Sequence, residues 1–147
     1  MKLFIDADGC PVVDIAIRLC KNYQIPCYLL CDTAHEFYRD HAQTLVFDKG
    51  ANSVDFAIAN RVCRGDIVIT QDYGLASMCL AKGARILHQD GWEYTPDNID
   101  ALLFQRHESR KLRSQGGKMK GAKKRTESQN KTFEAGLSGI LQTSVQG

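Results

Sequence analysis

Lys2-Leu3-Phe4-Ile5-Asp6-Ala7-Asp8-Gly9-Cys10-Pro11, residues 2–11, reads as a short apolar strand that ends in acid and turns at once into a helix. Lys2–Ile5 is the strand. From Pro11 to Tyr23 the apolar residues Val12, Ile15, Ala16, Leu19 and Cys20 recur at helical spacing. Proline suits the first helical position, where its missing N–H has no partner to lose. The same unit repeats downstream. Cys27–Cys31 and Thr44–Phe47 read as strands, Ser53 to Cys63 as a helix and Asp66–Thr70 as a strand. Gln71 to Lys82 reads as a helix stopped by Gly83, Ala84–Leu87 as a strand and Asp97 to Arg113 as a fourth helix. Short apolar strands alternating with helices predict βαβ units and an α/β fold with a parallel sheet. Right-handed crossovers then put helices on both faces. Such sheets bind ligands beyond the C-terminal ends of their strands, where strand order reverses.

The periodicity fails from Ser114 to Lys131, where Gln115-Gly116-Gly117-Lys118-Met119-Lys120-Gly121 is glycine-rich and basic. This marks a boundary, with an α/β domain over 1–113 and a basic flexible arm with a short C-terminal helix over 114–147. The helix is expected at Thr132–Leu141, with a frayed end.

At 147 residues and 44% apolar, the chain suits one soluble domain with a real core. No apolar run approaches the roughly 18 residues that span a bilayer. Asp6 arrives before any signal-peptide apolar region could form, so a cytoplasmic location and no membrane partner are expected. The six cysteines (Cys10, Cys20, Cys27, Cys31, Cys63 and Cys79) include no C-x-x-C and no zinc-like Cys/His spacing. They read as reduced, mostly core thiols. Cys20, Cys63 and Cys79 fall within apolar helix patterns, and Cys10 lies beside the acids.

The charge of +2 is unevenly spread. Residues 105–131 hold ten Lys/Arg against Glu108 and Glu127, a local +8, which leaves −6 for the rest. An acidic body with a basic appendage suits a protein that meets polyanions, although a solvated basic tail is also common. Arg106, Arg110, Arg113, Lys118 and Lys120 are the candidate phosphate contacts.

Strand one ends in Asp6-Ala7-Asp8, strand four in Thr70-Gln71-Asp72, and the helix after strand three opens with Asp55 in its first turn. In a βαβ sheet all of these reach one edge. Carboxylates crowded there raise each other's pKa, and a cation relieves the repulsion. An all-oxygen acidic set selects a hard ion, Mg²⁺ or Mn²⁺, which can activate water and stabilise a phosphoryl transition state. Asp6, Asp8 and Asp72 are the candidate catalytic residues, and Asp6, Asp8, Asp55 and Asp72 the candidate metal ligands. Each taken singly is also explained as a helix cap or a helix-dipole partner, Asp6 least readily because it closes a buried strand. His35, after strand two, is a candidate proton shuttle or a surface residue. Trp92 and Tyr94 are candidate base-stacking or packing residues.

Asp6-Ala7-Asp8-Gly9-Cys10-Pro11-Val12 resembles the D-A-D-A-C-P-V opening of the YaiI/YqxD family of uncharacterised bacterial proteins. Gly65-Asp66-Ile67-Val68-Ile69-Thr70-Gln71-Asp72-Tyr73-Gly74-Leu75-Ala76 resembles its G-D-x-V-x-T-x-D-x-x-L-A block, and Leu80-Ala81-Lys82-Gly83-Ala84 continues it. The family is similar to PIN-like nuclease domains. The resemblance implies a three-layer sandwich with a five-stranded, mostly parallel sheet of order 3-2-1-4-5. It also implies an acidic metal site at Asp6, Asp8, Asp55 and Asp72 and, by analogy, cleavage of RNA or DNA. The chain departs from the family at Asn52, where an acid is usual. It departs again at Gly121-Ala122-Lys123-Lys124-Arg125-Thr126, where the family has G-P-K-P-F-T.

Three functions follow as expectations. The foremost is a divalent-metal-dependent nuclease acting on RNA, or on single-stranded or flap DNA, with RNA the favoured partner. The second, motivated by Asn52, is a catalytically inactive nucleic-acid-binding protein that keeps the acidic pocket. The third is a phosphohydrolase on a small substrate, since D-x-D after strand one also opens aspartate-nucleophile phosphatases. Pro11 argues against the longer loop that such enzymes need.

Overall fold

The computed structural model describes residues 1–50, 53–114 and 124–146, without the side chains of 106–114 and 145–146. Its elements run β1 (Leu3–Asp6), α1 (Val13–Tyr23), β2 (Cys27–Asp32), β3 (Gln43–Phe47), α2 (Ser53–Arg61) and β4 (Ile67–Ile69). They continue with α3 (Tyr73–Ala81), β5 (Arg85–Leu87), β6 (Glu93–Tyr94), α4 (Pro96–Ser114) and α5 (Glu127–Gln146). The sheet has six strands in the order β3-β2-β1-β4-β5-β6. β1 to β5 are parallel, and β6 pairs antiparallel with β5.

The sixth strand corrects the five-stranded expectation. Only Glu93 and Tyr94 form it, too short a run for alternation to register. The turn at Gly91 (φ +93) reverses the chain and sets Tyr94 opposite Ile86.

Side chains alternate across the sheet, so each face receives its own apolar set. One face carries Leu3, Ile5, Leu29, Cys31, Ile67 and Ile69 against α1 and α5. The other carries Phe4, Leu30, Val68 and Ile86 against α2, α3 and α4. The result is three layers, helices over sheet over helices. β2 and β3 are joined by residues 33–42, which contain no helix; Phe37 and Ala42 from this segment pack on the α1 face instead.

α5 is longer than expected and belongs to the core. It begins at Glu127, ahead of the expected Thr132, because Thr126 and Gln129 form a reciprocal cap. The Gln129 N–H donates to Thr126 Oγ1 at 3.3 Å, and the Thr126 N–H donates to Gln129 Oε1 at 2.8 Å. Phe133, Leu137, Ile140 and Leu141 are buried in the α1-side core. Arg125 fastens the helix start to the β5–β6 turn, donating to Asp90 Oδ1 (2.7 Å), the Gln89 carbonyl (2.6 Å) and Asn130 Oδ1 (2.6 Å). The glycine-rich stretch expected to be mobile lies mainly outside the described residues. Among those described, no helix is long and apolar enough to cross a membrane.

Candidate metal centre at the sheet edge

β1 and β4 are neighbours, and their C-terminal ends face the N-termini of α2 and α3. A cavity of about 470 Å³ opens there. Asp6, Asp8, Asp55 and Asp72 all line it, with Asp32, Gly50, Ser53, Val54, Gln71 and Tyr73. The four carboxylates expected from the sequence therefore share one cleft.

Asp6 closes β1 and is mostly buried. The Thr70 hydroxyl donates to its Oδ2 at 3.1 Å. Burial pushes the Asp6 carboxyl up to about 6; the Thr70 bond opposes this, and the Asp55, Asp72 and Asp8 carboxylates add to it. The anion is uncomfortable both because it is desolvated and because its neighbours share its sign.

Asp72 is the N-cap of α3. Its Oδ1 accepts from the Leu75 N–H at 3.1 Å, and its own N–H donates to Thr70 Oγ1 at 3.0 Å. One hydroxyl thus ties the backbone at Asp72 to the carboxylate of Asp6. Capping accounts for Asp72 in part, since only one of its oxygens is needed for it. Asp55 sits in the first turn of α2. Asp8 does not cap α1, whose N-cap is Val12 with no side-chain bond. It lies in the turn leading to Gly9 (φ +67), half-exposed to the cavity.

Sequence reasoning missed Asp32. It ends β2, one strand from Asp6, and follows Cys31 with no motif to mark it; its place beside β1 is the only signal that could have found it. His35 Nδ1 lies 2.9 Å from Asp32 Oδ1, which also accepts from the Ala34 N–H at 2.9 Å. The His35 bond holds the Asp32 carboxyl below the usual range. His35 Nε2 is 3.9 Å from Asp8 Oδ1, so the imidazole stands between two acids that line the cavity.

Other expectations resolve as packing. Tyr94 is buried and donates from its hydroxyl to the Thr70 carbonyl at 3.2 Å, so its ring is packed inside the fold. Trp92 stacks on His88 at 4.4 Å between ring centres. Burial pushes the Cys10 thiol up to about 11, which favours the neutral thiol. Cys63 is exposed because α2 stops at Arg61, which corrects its place in an apolar helix pattern. Arg106, Arg110 and Arg113 lie on α4 where side chains are not described; Asn52, Lys118 and Lys120 lie outside the described residues.

Among the described residues, no three His, Cys, Asp or Glu side chains are grouped closely enough to ligate one ion as they stand. The donor set nevertheless fits a hard cation in kind: carboxylate oxygens only, and one of them destabilised as an anion.

Residues 4–143 match the model of the uncharacterised YaiI/YqxD family. The chain belongs to that family. It is 50% identical over 141 residues to a UPF0178 protein of Exiguobacterium sibiricum, covering 96% of both chains. Identity is 45% over 143 residues to a UPF0178 protein of Clostridium acetobutylicum (96% of this chain, 97% of the relative). It is 39% over 148 residues to one of Enterococcus faecalis (99% and 100%). No solved structure shows significant similarity to the chain.

Proposed function

We propose that this YaiI/YqxD protein is a PIN-like, divalent-metal-dependent nuclease acting on RNA, or on single-stranded or flap DNA. The observation that carries the reading is the convergence of Asp6, Asp8, Asp55 and Asp72 on one cleft at the switch point of a parallel sheet, where burial and the neighbouring acids raise the Asp6 carboxyl to about 6. A structural acid would be paired or solvated. This one is arranged so that a cation is the missing charge.

Asp6, Asp8, Asp55 and Asp72 would hold the ion, Asp6 from the end of β1, Asp72 from the start of α3, Asp8 from the turn after β1 and Asp55 from the first turn of α2. Mg²⁺ or Mn²⁺ held there would supply a water of lowered pKa and positive charge for the phosphoryl oxygens. Thr70 orients Asp6, and the α3 cap fixes Asp72, so neither carboxylate has to be ordered when the ion arrives. His35, held at Nδ1 by Asp32, offers Nε2 at the rim as a proton carrier. The basic residues Arg106, Arg110, Arg113, Lys118 and Lys120 supply phosphate contacts.

Calorimetric titration of Mn²⁺ and Mg²⁺ into wild type, Asp6→Asn and Asp72→Asn tests this, alongside cleavage of a fluorescent single-stranded RNA. Saturable binding lost in both variants, with metal-dependent cleavage, is expected. Intact Mn²⁺ affinity in Asp6→Asn would overturn the metal site. Metal binding and RNA binding without cleavage would favour the inactive binding protein.

A further inference from the structure

The sheet has a second cavity, about 280 Å³, near the opposite ends of the strands. Lys2, Phe4, Tyr28, Gln43, Leu45 and Arg61 line it. It lies on the face covered by α2, where that short helix ends and edge strand β3 begins. The register sets Phe4 beside Tyr28, and Tyr28 beside Gln43, on adjacent strands.

Its chemistry inverts that of the acidic cleft. No carboxylate lines it, and two cations do. Phe4 is buried and stacks on Tyr28 at 5.3 Å with the rings 22° apart, so the half-buried Tyr28 ring is held rigidly. Lys2 Nζ stands 6.0 Å from that ring, and the Arg61 guanidinium lies 4.9 Å over Phe47. Both cations thus rest on aromatic rings; Arg61 also donates to the Ala57 carbonyl at 3.2 Å, and no acid is among the lining residues. Gln43 is exposed and brings an amide with both a donor and an acceptor. The volume, about 280 Å³, falls just below the ~300–1,000 Å³ typical of ligand sites, which suits a compact molecule with part of it in solvent.

We infer that this cavity binds a nucleoside monophosphate. The base lies against Tyr28 and Leu45, Gln43 meets its polar edge, and Lys2 and Arg61 hold the phosphate. An aromatic ring plus paired cations matches that ligand in shape and sign. The inference does not rest on the acidic cleft being catalytic.

Binding of AMP and UMP to the full chain, measured by calorimetry with a chelator present, tests it. Saturable one-to-one binding is expected, with adenosine and inorganic phosphate each much weaker. Removing one cation by Lys2→Ala or Arg61→Ala should cost about tenfold in affinity. Lys2→Glu, at an exposed side chain that leaves the core intact, should abolish binding, while Asp6→Asn should retain it. No saturable binding at millimolar nucleotide would overturn the inference. So would unchanged affinity in Lys2→Glu, or phosphate alone binding as tightly as AMP.

Discussion

Asp6 carries the electrostatic strain of the acidic cleft. Its ordinary pKa is 3.8 and its folded value about 6, so between these the native state keeps a proton that the unfolded chain releases. Stability therefore falls as pH rises through that window, and the full penalty is present above it. Asp6→Asn keeps an acceptor for Thr70 but removes the charge. In chelator at neutral pH it should stabilise the fold by ~1–3 kcal/mol in urea denaturation, a gain that vanishes below the ordinary carboxylate pKa. Manganese should reverse the comparison: wild type gains melting temperature with ion concentration, and Asp6→Asn does not. Asp72 separates capping from chemistry. Asp72→Asn preserves the cap, whereas Asp72→Ala should cost ~1 kcal/mol by losing the bond to the Leu75 N–H. If both variants lose metal affinity but only the alanine variant loses stability, the charge and the cap are distinct functions. Asp6, Asp8, Asp55 and Asp72 were legible because each stands next to a strand end or a helix start. Asp32 also ends a strand, but no motif singles it out, and it enters the site through the pairing of β2 with β1.

Helix α5 shows where element-level reading falls short. Its start carries a reciprocal Thr126–Gln129 cap, yet the basic run before it masks the change of pattern. Its packing depends on a glycine pair. A Cβ at Gly136 would stand 2.4 Å from the Gly91 carbonyl oxygen, and one at Gly91 would stand 2.4 Å from the Thr132 carbonyl oxygen. Gly139, on the same helix, has open space. Propensity alone says that both helical glycines improve as alanine. The contact says otherwise: Gly139→Ala should gain ~0.5–1 kcal/mol, while Gly136→Ala should lose ~1–3 kcal/mol. Thermal melts of the two variants should move in opposite directions; equal shifts would mean that α5 does not lie on the β5–β6 turn. The β6 hairpin was missed for a related reason. Two residues give no periodicity, and the strand exists because the Gly91 turn and the Tyr94 hydroxyl bond to Thr70 hold it against β5.

For the whole molecule, the alternation of strands and helices was enough to predict a parallel α/β sheet with its acids at one edge. It could not show that the final helix supplies part of one core face. Phe133, Leu137 and Leu141 are completely buried there. Phe133→Ala should cost ~3–5 kcal/mol and broaden the unfolding transition if the α1–α5 layer loosens first.

The earliest strand is also the central one. β1 pairs with β2 nearby in sequence, but its other partner, β4, brings Leu3 to Ile67, and Asp66 binds the Lys2 N–H across a separation of 64 residues. Closing so long a loop carries a chain-entropy cost that the nearby β1–β2 pairing does not. The acidic cleft is assembled from the ends of those same two strands. If the proposed ion site is real, metal affinity followed during refolding should not appear before β1 and β4 have paired.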